Sequence, residues 1–347
     1  MPLSPLPSDA GLSTWSLRRE ATNRREATNR RRATNRREAS IRRTYPCRVQ
    51  ILTEAQWLAA TAAHEARIDA LTAGHRTRRA EGRKHPVEDF LFTYYPWTPA
   101  QLRRWHPGAG VALAGGGSAP QRNWRFYRLT GDRVGVDLDA FLDARGDTVR
   151  FVRDLVSRTA ARPGRFGCFG LHEWAMVYRL GQDQVRHTAW PLRLGQEGTD
   201  EVVESHQLAC THFDAYRFFT PEAAPRNALR PTRAGQAAYE QPGCLHAGMD
   251  LYKWAMKLSP AVGSDLTADA FELARDIREL DMRAAPYDLR ELGYLPIPIE
   301  TPEGKADYVA AQRGFSERGQ RLRRRLLDTL DRVLGQVPAL ESSSPST

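Results

Sequence analysis

Three segments of the chain set histidine or acid beside bulky aromatics, each at a spacing that permits chemistry. The densest is CTHFDAYRFF (210–219). Read as a strand, it points His212, Asp214, Tyr216 and Phe218 to one face, because successive strand side chains alternate. A histidine and an aspartate on one face are two of the three donors of a two-histidine, one-carboxylate site for a divalent transition metal. His246, one helical turn before Asp250, is the candidate third. The competing reading makes them hydrogen-bonded polar residues lining a pocket, or a satisfied core histidine. In GLHEWAMVYR (170–179), Glu173 adjoins Trp174. Burial there would raise the carboxyl pKa toward that of a general acid or base, unless an arginine pairs with it at a surface edge. His172 and Glu173 diverge by about 100° on a helix, so one small site is not expected to use both. In HPVEDF (85–90), His85 and Asp89 form an i, i+4 pair, or else Glu88 and Asp89 sit on the favourable end of a helix dipole as a cap.

These segments must be held by a mainly helical α+β core. Thr53 and Gln56 form a capping box, and Trp57, Thr61, His64, Ile68 and Leu71 follow at helical spacing, with a connection from Gly74 to Lys84. A short helix near 101–105, a glycine loop at 114–120 and a hairpin around Gly131-Asp132 come next. The glycine loop opens no helix, which argues against phosphate binding. Two amphipathic helices are predicted at about 137–145 and 147–161, extended segments around 190–219, and helices near 243–258, 265–284 and 305–335. In the second-last of these, Asp276, Glu279 and Asp281 interleave with Arg275, Arg278 and Arg283, the pattern of a solvated, salt-bridged face.

Composition narrows the class. With 41% apolar and 27% charged residues the chain of 347 is ordinary globular protein, and no apolar run reaches the roughly 18 residues of a membrane span. No secretory signal is visible, and Cys47, Cys168, Cys210 and Cys244 lie far apart, which fits free thiols in the cytoplasm. The net charge is +10, but residues 1–45 contribute +7 and leave +3 for the rest. That excess comes from a hexapeptide repeat: RREATN (18–23), RREATN (24–29), RRRATN (30–35) and RREASI (36–41). Six residues advance a helix by about 600°, so no apolar stripe forms. Residues 1–46 are therefore expected to be a disordered tail, 47–336 one globular domain and 337–347 a disordered end.

The runs HPVEDFLFTYY (85–95), QLRRWHPGAGV (101–111), GCFGLHEWAMVYR (167–179), THFDAYRFFTPEA (211–223), EQPGCLHAGMDLYKWAMKLSP (240–260) and FELARDIRELDMRAAPYDL (271–289) resemble a bacterial family named 3-methyladenine DNA glycosylase, over about residues 48–335. The chain carries neither a helix-hairpin-helix with a following aspartate nor a paired Cys/His zinc clamp, so no catalytic residue passes over by motif. The resemblance implies hydrolysis of the N-glycosidic bond of an alkylated purine in duplex DNA, without cofactor. That chemistry asks for aromatic faces around a flipped cationic base and a carboxylate near the sugar. Trp174, Tyr216, Tyr252 and Trp254 are the stacking candidates, and Glu173 or Asp214, with His212, the catalytic ones. Arg217, Arg226, Arg230 and Arg233 are a local basic track. The alternatives are a metal-dependent oxygenase or hydrolase using His212, Asp214 and His246, and a small-molecule binding or interaction protein.

Overall fold

The computed structural model of the chain describes residues 49–335. The arginine-rich repeat and the C-terminal end, both expected to be disordered, lie outside the described residues, as does Cys47. The described chain is a mainly helical α+β domain, as its patterning predicts.

The helical segments are α1 (Glu54–Ala80), α2 (Phe90–Tyr94), α3 (Pro99–Leu102), α4 (Leu138–Ala161), α5 (Leu171–Ala175), α6 (Gly195–Glu204), α7 (Phe213–Tyr216), α8 (Gln236–Tyr239), α9 (Leu245–Leu258), α10 (Ser264–Arg283) and α11 (Pro302–Leu334). Strands β1 (Gln50–Leu52), β2 (Val111–Ala114), β3 (Tyr127–Thr130) and β4 (Arg133–Val136) make one sheet in the order β1-β2-β4-β3. Strands β1 and β2 are parallel, with Gln50 opposite Val111, while β3 and β4 form the hairpin expected around Gly131-Asp132. Trp57, Trp105, Leu113 and Ala119 pack the sheet against the start of α1. The Thr53–Gln56 capping box opens α1 as the sequence predicts.

Three expectations need correction. Residues 190–219 are not extended. They hold α6 and α7, with only the isolated bridges Leu192–Tyr287 and Leu208–Asn227, and the sheet is drawn from segments before residue 137. A single turn such as α7, closed by Tyr216 N–H donating to the His212 carbonyl (2.9 Å), is too short for periodicity to distinguish from a strand. The helices at 137–145 and 147–161 are one, α4, because buried Gly146 weakens a helix interior without ending it. For the same reason α1 runs past Gly74 to Ala80.

Helix α9 organises the interior. Eleven of its fourteen residues are buried, and it packs against α10, α11 and α4. A helix buried on every side belongs at the centre of a core. It approaches α10 closely at Gly248, where an added Cβ would stand 2.9 Å from the Ile277 methyl. Around it Phe141, Leu155, Trp174, Met249, Tyr252, Phe271, Ile277, Tyr308, Leu326 and others form the main cluster.

At the end of α1, Asp89 accepts from Arg78 (2.8 Å), from His75 (2.9 Å) and from the His85 backbone N–H (2.8 Å). The His85 ring in turn accepts from the Val87 and Glu88 backbone, so this segment is a cap that fastens α1 to α2. Burial alone would raise the Asp89 pKa, but these three donors outweigh it and hold it below 3.8. Asp89→Asn is expected to lower stability by about 1–3 kcal/mol near neutral pH. A carboxyl held low contributes above its unfolded pKa and loses that contribution as pH falls through the folded one. Urea titrations of both proteins should therefore begin to approach each other as the pH falls toward 3.8 and converge only once it passes below the still lower folded pKa. A difference that persists in acid would assign the effect to packing instead.

Candidate functional site

Two buried groups of histidine and carboxylate meet beside α9. In the first, His172, His246 and Asp281 each offer one ligand atom, and these atoms lie within 4.8 Å of one another. Gly170 adopts φ 72°, a left-handed conformation suited to glycine. That bend launches α5 and turns His172 inward. His246 comes from the first turn of α9 and Asp281 from the last turn of α10.

The His172 Nε2 atom is 3.1 Å from Asp281 Oδ1 and 3.2 Å from Oδ2. Only the contact to Oδ2 has hydrogen-bond geometry, which leaves Oδ1 buried without a partner. Burial disfavours a charged His172, but the Asp281 charge and hydrogen bond outweigh it and raise its pKa. The His246 ring stands edge-on to His172, with centroids 4.5 Å apart at 85°. Burial and the two neighbouring imidazoles push its pKa well below the ordinary value, so the ring is neutral with a free lone pair.

Arg278, 2% exposed, binds Glu173 at 2.7 Å, lies 3.6 Å from Asp281 and covers the Phe90 ring at 3.9 Å. The run 272–283 is thus not simply a solvated ion-paired face. Its Arg278 and Asp281 are interior, while Asp276 and Glu279 keep outer ion pairs with Arg318 and Arg283. Glu173 also differs from expectation. Desolvation beside Trp174 would raise its pKa, but the Arg278 charge and hydrogen bond hold it at about 2. It is an ionised, paired carboxylate. Two carboxylates thus face one guanidinium, beside the imidazoles of His172 and His246.

The second group is His212, Glu240 and Asp250. His212 Nε2 is 3.3 Å from Asp250 and 3.4 Å from Glu240. Lys253 also hydrogen-bonds Asp250, whose other oxygen accepts from the Tyr95 hydroxyl at 2.9 Å. Desolvation opposes charge on His212, but the two carboxylates outweigh it and push its pKa up to about 9. This group already holds its own cations. Asp214, expected to share a strand face with His212, does not join it. His212 caps the one-turn helix α7, which turns Asp214 toward Arg217 (3.1 Å) and Lys253 (3.5 Å). His246, the expected third donor, is near both groups: its ring is 5.3 Å from that of His212.

A cavity of about 420 Å³ reaches the first group. His172 and His246 are at its buried end, with Phe169, Leu171, Leu208, Phe219 and Leu245 among its walls. Cys168, Cys210 and Cys244 also line it. Burial raises all three thiol pKa values, that of Cys210 to about 12, so none is a ready nucleophile.

None of the four expected stacking residues lines this cavity. Trp174 and Tyr252 are fully buried in the core, and the Trp174 indole donates to the Ala284 carbonyl at 2.8 Å. Trp254 lies under Lys253 and Lys257, and Tyr216 donates to the Ala224 carbonyl. Arg217 packs on Phe218, Arg226 binds the Glu204 carbonyl, and Arg230 binds the Pro225 carbonyl. Asp281, Glu240, Phe169 and Phe219 were not legible as site residues. No protein-family model, curated protein or solved structure matches the chain.

The two aspartates of the second region should separate by energy. Removing a buried, paired carboxylate strands its partners, so Asp250→Ala is expected to cost about 3–5 kcal/mol. Asp214→Ala, which breaks more open pairs, should cost about 1 kcal/mol or less. Denaturant unfolding of both variants checks the order, and equal losses would mean that Asp250 is not the centre of a buried network.

Proposed function

We propose that the chain is a metal-dependent enzyme, a hydrolase or oxygenase, in which His172, His246 and Asp281 hold one divalent transition-metal ion. The observation that carries this reading is the convergence of three ligand atoms within 4.8 Å, two of them from histidines at the buried end of a cavity and the third from Asp281 just behind its surface. The Asp281 Oδ1 atom, buried without a hydrogen-bond partner, supports it. Two imidazoles and one carboxylate suit iron, manganese or zinc, and such a set leaves coordination positions open to a small molecule. When bound, the ion would supply Lewis acidity or activate a small molecule there. Arg278 orients Asp281 and Glu173 from behind, and the apolar walls exclude water from a bound substrate.

The protein purified without chelator should contain about one equivalent of iron, manganese or zinc by elemental analysis. His246→Ala and Asp281→Asn should weaken metal affinity by tenfold or more. Asp214→Asn should leave it unchanged, since Asp214 faces Lys253 and Arg217. An apoprotein that takes up none of these ions, with no rise in Tm on their addition, sinks the proposal.

Base excision is the second reading, and one observation favours it. Four of the six runs that resemble the glycosylase family supply His172, His212, His246 or Asp281, so the resemblance concentrates on the two groups beside α9. A flipped purine would then lie between Phe169 and Phe219, since Trp174 and Tyr252 are occupied by the core. Release of 3-methyladenine from alkylated duplex DNA, lost in His246→Ala, supports this reading. No release at high enzyme concentration removes it.

A further inference from the structure

The cavity has a direction. Arg165, Gly167, Gln207 and Ala209 among its lining residues are exposed, whereas His172, Thr211, Gln241, Leu245 and His246 are buried. Its rim is therefore at Arg165 and Gln207 and its floor at the two histidines. Leu171, Leu208, Phe219 and Leu245 make the stretch between them largely apolar.

The charge along that axis is one-sided. No aspartate or glutamate lines the cavity, because Glu173, Glu240, Asp250 and Asp281 lie behind its surface. Arg165 is the one lining residue with a fixed charge. Its backbone is pinned, the N–H donating to Gln241 Oε1 at 2.8 Å and the carbonyl accepting from Gln241 Nε2 at 3.4 Å. Gln241 Oε1 also accepts from the Gly243 N–H (2.7 Å), two residues from the start of α9. Most other arginines of the domain have an acid or carbonyl partner. The Arg165 guanidinium has none among the described residues, although its Cα is fixed at the rim.

The geometry points to an amphipathic organic anion as the ligand: an apolar body along the walls, an anionic head at Arg165 and the far end presented to His172 and His246. A cavity of about 420 Å³ is in the range that holds a medium-chain carboxylate. This inference takes the floor as the reacting end from the metal reading, but its rim and walls stand on the cavity alone.

Decanoate, 1-decanol and decylamine test it by isothermal titration against the full chain. The protein is stripped with chelator, so that no carboxylate–metal bond contributes. Decanoate should bind saturably and about tenfold tighter than decylamine, with decanol between them. Arg165→Glu, at an exposed position, should weaken decanoate about tenfold and abolish the preference, whereas Arg165→Lys should keep it. No saturable binding of decanoate by about 1 mM overturns the inference. So does equal affinity for decanoate and decylamine, or indifference to Arg165→Glu. Metal content is measured on unstripped samples. Decanoate binding by a protein that never takes up metal would remove the metal reading alone, and metal uptake without decanoate binding would remove this inference alone.

Discussion

Ionised groups in a helical interior must be matched by opposite charge, and the packing of this domain depends on that matching. Transfer of an unpaired carboxylate out of water costs several kcal/mol even after relaxation. Helix α9 brings His246 and Asp250 into the core, where both are buried. The segments around it supply compensating groups: Tyr95 after α2, His172 from α5, His212 before α7, Glu240 after α8, and Arg278 and Asp281 from α10. Even α11 takes part. Arg323, 1% exposed, donates to the Ala247 carbonyl of α9, and burial holds its pKa down at about 10. Apolar burial drives the collapse, and these pairs specify which helix faces which.

The local part of this structure was legible in the sequence and the long-range part was not. Thr53 with Gln56, the Gly131-Asp132 turn and the helix near 243–258 each rest on signals within a few positions, and each came out as expected. The site depends on pairs such as His172 with Asp281 and Glu173 with Arg278, separated by 109 and 105 residues. Hydrophobic periodicity reports which face of a helix is apolar. It does not report the polar partner that allows a charge to enter that face. For this reason ELARDIRELD read as a solvated face, although every third or fourth residue of it turns toward α9. The same limit explains the His212–Asp214 pairing, where one turn of helix replaced a strand and moved Asp214 to other partners.

The two groups beside α9 have the same kinds of side chain and different electrostatics, and the difference lies in where the cations come from. At His212, Lys253 reaches in from the same helix as Asp250 and the imidazole itself carries charge between two carboxylates. At His172, the fixed cation is Arg278, which is shared between Glu173 and Asp281. One group therefore has a lysine of its own, and the other shares one arginine between two carboxylates.

His246 connects them. Its ring lies between two imidazoles that their carboxylates make more basic, and adding a third cation there would meet repulsion from both sides as well as desolvation. Burial first, and then the imidazoles of His172 and His212, keep His246 neutral, and a neutral imidazole is the form that can donate a lone pair. A buried ion-pair network that adds little net stability can still be retained in a fold for this reason. It adds to the burial that holds His246 neutral where α9 meets the cavity floor.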